Sequence, residues 1–327
     1  MGQKAWRKSV VQHNDDIIQH ILKRTNSQNR DNISRTVSYA TFYKHNPEVR
    51  WAMLASLVSR NAGYSMCDLK GDWLPRMLSR DTRKHLFLTY ERANWLIFQD
   101  AYPQLLIYEY SKKQGQPYFH LLKYFGVSTF MVHEWEKFWK EKDLKRICTS
   151  LIINEQHVIE KPVIEDGFYK KRIFSKVPFL FQDYMHFSTV LFPVESGEVI
   201  GISVHGFKKT KNRIETGKKL YTILFESKWS EEILSFADKV THTGSRHDFE
   251  TYIYPDKKRE TPFLRLAFPI IEHNRSDTGD WYRKNMNTEK FYEPVKPLHS
   301  ILLTDWYKQK QRQLKIGILL KEWILHA

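Results

Sequence analysis

With 327 residues, 41% hydrophobic and 27% charged, the chain is long enough to bury a sizeable core and too apolar to be disordered. Its formal net charge of +15 predicts attraction to polyanions and excludes a strongly acidic surface. Two cysteines far apart, with no CxxC pair, argue against a disulfide scaffold or a zinc knuckle and fit a reducing, cytoplasmic setting.

In chain order, Val10, Val11, Ile17, Ile18, Ile21 and Leu22 recur at helical spacing and predict a first helix over 9–24. Residues 25–32 are polar without apolar periodicity and read as a loop. Asn46, Pro47 and Glu48 form a helix start, and the all-round apolar run Trp51–Val58 predicts a buried helix closed by Gly63. A long helical pattern from about Asp81 meets Pro103, which should end or kink it, and resumes over 104–113. Further helices are predicted over 118–125 before Gly126, from Ser128 as N-cap, and over 143–159.

The helical period fades over 160–180, the candidate boundary between a helical lobe (1–160) and a mixed lobe (180–327), unless both form one domain. Thr189–Val194 and Glu198–Val204 flank Ser196 and Gly197 as a hairpin. Helices return over 213–227 and, capped by Ser230, over 231–241; residues 255–300, with five prolines, should be irregular. A basic amphipathic helix over 305–325 should dock its apolar face on the core, a membrane surface being the alternative. The fold class is therefore mainly α, a multi-helix protein with a small β-hairpin.

No phosphate-binding loop, dinucleotide fingerprint, zinc-hydrolase helix or nucleophile elbow occurs, so the motifs leave any cofactor and any catalytic residue unknown. Two polar segments concentrate chemistry. His242, Thr243, Gly244, Ser245, Arg246, His247 and Asp248 combine imidazoles, a guanidinium, a hydroxyl and a carboxylate, a set suited to an anion site. The competing reading makes Gly244 the end of the preceding helix and Ser245 to Asp248 a capping box. Arg60 and Asn61, followed by Ser65 and Asp68, stand at the end of the buried helix, where a hinge with its own capping box is the competing reading. Cys67 has no evident base nearby to make it a nucleophile. Glu91 and Asn94 read as inward members of a helix-to-helix network.

The densest basic run is Lys208, Lys209, Lys211, Arg213, Lys218 and Lys219, flanked by Phe207 and Tyr221. It suits phosphates and stacked bases, or is simply a solvated face. A metal would require His186, His205, His242 and His247 to converge, and no metal site is expected.

The segments Asn32–Thr36, Pro47–Leu69, Glu91–Pro103 and His242–Asp248 resemble an uncharacterised bacterial domain family of unknown function, chiefly from spore-forming Gram-positives. The resemblance implies a bacterial cytosolic protein and assigns no reaction. Two functions are consistent with these residues. One is a binding protein for an anionic partner, either nucleic acid or a phosphorylated ligand. The other is an enzyme whose pocket joins the Arg60 and His242–Asp248 segments.

Overall fold

In the computed structural model, residues 2–167, 189–203, 206, 209–275, 279–298 and 300–326 are described, with side chains from residue 12 to 324. Helix α1 (Gly2–Gln28) outruns the predicted 9–24, and α2 (Asn32–His45) begins after a three-residue break. The expected polar loop is therefore mostly helix. Three of its polar side chains point inward: Thr25, Asn29 and Asn32 are buried, and Asn29 Nδ2 donates to Trp95 O and Gln99 Oε1 at 3.1 Å. Asp31 caps α2 by accepting from Ser34 N at 2.7 Å.

Helix α3 (Trp51–Asp68) is shifted towards the carboxy terminus of the predicted Asn46–Gly63 helix. Asn46 closes α2, its N–H reaching Phe42 O, and Gly63 lies inside α3. A Cβ on Gly63 would stand 2.5 Å from Asn32 Oδ1 and 2.8 Å from the His242 ring, so this glycine admits neighbours rather than ending a helix. After α4 (Leu74–Met77), α5 (Arg80–Gln114) starts at a Ser79 cap and runs through Pro103 to Gly115, whose φ is +69°. Proline did not end the helix. Pro103 is buried, and α5 packs against α1, α2, α3 and α7 (Leu144–Val158); tertiary packing offsets the roughly 3 kcal/mol that interior proline costs.

A 3₁₀ turn (Phe119–Phe125) ends at Gly126, and α6 (Thr129–Glu141) starts with Ser128 accepting from Met131 N, both as read from the sequence. Asp143 caps α7, which passes into a π turn (Glu160–Ile164). The candidate boundary at 160–180 lies outside the described residues from 168 onward.

Strands β1 (Thr189–Pro193) and β2 (Val199–Ser203) pair antiparallel with Leu191 opposite Gly201. The 301–303 segment bonds to the other edge of β2. Then follow α8 (Thr210–Glu226), α9 (Ser230–Lys239), α10 (His247–Ile253), the single turn α11 (Leu264–Ala267) and α12 (Thr304–His326). Ser230 is not a cap; Ser227 Oγ accepts from Trp229 N in its place. Helix α9 closes at Val240, four residues before Gly244, whose φ of +83° turns the loop against Cys67 and Leu264.

The protein is mainly α with one hairpin. The largest apolar core joins Trp51, Phe98, Leu105, Trp135 and Ile152 to Phe192 and Ile200 of the hairpin and Ile223 of α8, drawing on the chain on both sides of residue 168. It places α2, α3, α7, α8 and β1 around a common space.

Candidate functional site

Successive turns of α3 present Arg60, Tyr64 and Asp68 to the loop that follows α9. Arg60 Nη2 donates to Val240 O at 2.7 Å and Nη1 to Ala237 O at 3.4 Å, satisfying the carboxy-terminal carbonyls of α9. Its Nε donates to Tyr64 Oη at 2.8 Å, and burial raises that phenol to about 12. Asn61 brackets β1, donating to Leu191 O at 2.7 Å and accepting from Leu191 N at 2.8 Å.

The His242 imidazole is buried against the Tyr64 ring, and burial pushes it down to about 4. Neutral at pH 7, it donates from Nε2 to Asn32 Oδ1 at 2.9 Å. That direction follows because Asn32 Nδ2 is committed to Ser59 O and Ser59 Oγ. Arg246, fully within the fold, holds both Asp68 oxygens from Nε at 2.8 Å. Burial raises the Asp68 carboxyl against the pull of that guanidinium.

Ser245 Oγ donates to Thr261 O at 2.8 Å and accepts from His247 N at 3.2 Å. Asp248 reaches past it to Thr243 N at 2.8 Å, so the capping box closes on Thr243. His247 Nδ1 is buried without a hydrogen-bond partner. The Arg60 and His242–Asp248 segments thus meet, and their polar groups are directed mainly at one another. The space beside them, walled by Asp68, Arg246, Glu250 and Thr261, measures about 30 Å³, enough for water. Cys67 is buried against the Gly244 turn, and desolvation keeps its thiol protonated.

The basic run is divided. Lys208 lies outside the described residues, as do His186 and His205; Lys209 and Lys211 are exposed. Lys218 Nζ donates to Phe291 O at 2.7 Å, Lys219 pairs with Glu215 at 2.7 Å, and Arg213 turns inward to Glu160 and to Gln156 Oε1. Among the described residues no group of three or more His, Cys, Asp or Glu is placed to hold a metal ion.

Arg213 leads to a site that the sequence did not reveal. A cavity of about 150 Å³ opens between α2, α3, α5, α7, α8 and β1, with Leu54, Val58, Ile97, Val190 and Leu220 as apolar walls. Its polar lining includes Arg35, Tyr39, Ser59, Glu155 and Arg213. Arg35 is wholly buried; Nη2 contacts Glu91 at 2.5 Å and Nη1 donates to Asn29 Oδ1 at 3.2 Å, but Nε has no partner. Tyr39 Oη is also buried without a partner. Burial raises the Glu155 carboxyl to about 7, partly opposed by hydrogen bonds from Gln156 and from Trp51 Nε1. Its protonated form therefore persists well above the ordinary carboxylate range.

Ser59 connects the two regions, because its hydroxyl in the cavity wall also accepts from Asn32, the partner of His242. Arg35 and Tyr39 went unseen because α2 itself lacked apolar periodicity. Glu155 carried no local signal, its environment being made by Trp51, 104 residues away.

Residues 27–308 match a family described as protein of unknown function (DUF2515). The chain is 45% identical over 309 residues, 94% of its length and 96% of the relative's, to the uncharacterized protein YppC of Bacillus subtilis (strain 168). No solved structure matches. With the family's match spanning most of the fold, including both polar regions, the chain belongs to the DUF2515 family of proteins of unknown function.

Proposed function

We propose that this protein binds a small anionic ligand, phosphate- or carboxylate-bearing, in the cavity lined by Arg35, Tyr39, Glu155 and Arg213. One observation carries the reading: two buried polar donors, Arg35 Nε and Tyr39 Oη, lack partners beside that cavity. Leaving such a group unsatisfied costs about 1–3 kcal/mol, so a ligand that accepts from both recovers that cost. A cavity of about 150 Å³ accommodates a molecule of benzene's size, and its apolar walls suit a ligand with a short carbon body.

Glu91 and Glu160 already balance the two guanidiniums, so an anion enters most favourably when Glu155 is protonated. Binding should weaken as pH rises through about 7. The basic run supports a small ligand better than nucleic acid, because Arg213, Lys218 and Lys219 are engaged within the fold.

The test is a thermal-shift titration with inorganic phosphate, small phosphorylated metabolites and short carboxylates at pH 6 and pH 8. Wild type is compared with Tyr39→Phe and Glu155→Gln. A stabilising ligand whose effect drops in Tyr39→Phe, and whose pH dependence flattens in Glu155→Gln, is the expected result. No ligand-induced shift at either pH, or one indifferent to both substitutions, refutes the reading.

The second reading is an enzyme built on Arg60 and the His242–Asp248 segment. It has one observation in its favour, the hydrogen-bond path from His242 through Asn32 to Ser59. It requires His242→Gln to abolish turnover of a ligand that still binds; retained turnover removes it.

A further inference from the structure

Helix α12 has two apolar faces. Tyr307, Leu314 and Ile318 are buried against the body of the protein, and the helix is pinned by Tyr307 Oη donating to Glu250 at 2.7 Å, Lys315 on Glu260 at 2.5 Å, and the Arg76–Glu322 pair. At about 100° per residue, Ile316, Leu319, Leu320, Trp323 and Ile324 form a sector centred about 180° from that buried stripe. They are 50–71% exposed. A helix docked by one face normally turns polar residues outward; here large apolar side chains recur at the i, i+3, i+4, i+7, i+8 spacing of a second contact face. Together they expose several hundred Å², on the order of the largest patches seen on soluble monomers.

We propose that this outward face seats in the plane of an anionic membrane surface. Charge selects that occupant. Five basic residues of α12 stand against Asp305 and Glu322. Arg312, one turn before Ile316, is exposed along the stripe, and Lys321 is exposed at the flank of the helix. A second copy of this chain would bring its own net charge of +15 to the contact, whereas an anionic lipid surface attracts both the helix and the whole molecule. Trp323 matches the preference of indole for the headgroup boundary, with the aliphatic side chains entering about 5–10 Å below it. Among the described residues no helix is long and apolar enough to cross a membrane, so α12 lies along the surface.

The inference is independent of the cavity. Its test is co-sedimentation of the full chain with phosphatidylcholine vesicles, with or without phosphatidylglycerol, at about 0.05 M and about 0.5 M salt. Wild type is compared with the double variant Leu320→Ser, Trp323→Ser, whose exposed positions leave the docked face intact. Wild type should bind the anionic vesicles, release them at high salt, and exceed the variant by at least about tenfold at unchanged melting temperature. Equal binding of wild type and variant overturns the proposal, as does no binding to either vesicle. So does concentration-dependent dimerisation in light scattering that the double substitution abolishes, which would assign the face to a second copy.

Discussion

Replacing Gly63 by Ala tests whether the α3 notch is what lets α2 and the 240–246 loop close together. The new methyl group would stand 2.5 Å from Asn32 Oδ1 and 2.8 Å from the His242 ring, about 1 Å inside the usual separation of roughly 3.5–4.0 Å. Neither neighbour has a loose end. The Asn32 amide is held by Ser59, and the imidazole sits against Tyr64 and Asp248. Ala gains about 1 kcal/mol over Gly inside a helix. Against this stand overpacking, about 1–3 kcal/mol, and the displaced His242–Asn32 hydrogen bond, about 1 kcal/mol. Net destabilisation of about 1–3 kcal/mol follows. Gly317 in α12 has no atom within 4 Å of its would-be Cβ, so Gly317→Ala keeps only the propensity gain and should stabilise by about 0.5–1 kcal/mol. Urea unfolding followed by circular dichroism measures both at unchanged slope. If Gly63→Ala equals or exceeds wild type, or both substitutions shift stability the same way, the notch argument is wrong.

Two buried groups give opposite pH dependences. Burial holds His242 at about 4, below its unfolded value, so the folded state binds fewer protons across that window. Stability should be complete above about pH 6.5 and fall towards pH 4 by about 2–3 kcal/mol; His242→Gln should reduce that slope, with His273, also near 4, supplying the remainder. Glu155, raised to about 7, binds more protons folded than unfolded, so its burial costs stability as pH climbs from about 4.5 to 7. Glu155→Gln should match wild type at pH 4 and exceed it at pH 8 by about 1–3 kcal/mol, after allowance for its partial exposure; melting at the two pH values decides. Glu91→Gln leaves Arg35 buried without its counter-charge and should cost about 3–5 kcal/mol in denaturant unfolding, much of it recovered by adding Arg35→Met; a single substitution below about 1 kcal/mol contradicts the pairing.

What the sequence made legible was local. Ser128 as a cap, Gly126 as a stop and Ser196–Gly197 as a hairpin turn are signals contained in a few neighbouring residues, and each stands where it was read. Helix α2 was missed because its inward side carries Asn32, Arg35, Thr36 and Ser38, and periodicity registers only apolar burial. Gly63 was misread as a stop, and Pro103 did not end its helix, because what surrounds each comes from elsewhere in the chain. Arg60, Asp68, His242 and Arg246 stood out as polar groups in unusual places. Their mutual pairing, and the cavity beyond Ser59, depend on contacts spanning more than a hundred residues and leave no trace in spacing.

The closure around Gly63 also sets an order of events during synthesis. Asn32 and His242 are 210 residues apart, and Arg60 and Val240 are 180 apart. At about 5–20 residues per second, α2 and α3 leave the ribosome roughly ten to forty seconds before the segment that fills their notch. Throughout that interval Asn32 keeps Ser59 and Arg60 keeps Tyr64, while Asn32 Oδ1 and the Arg60 Nη groups lack the partners of the finished fold. The amino-terminal helices must remain soluble without their final partners, and the last hydrogen bonds form only after most of the chain has been made.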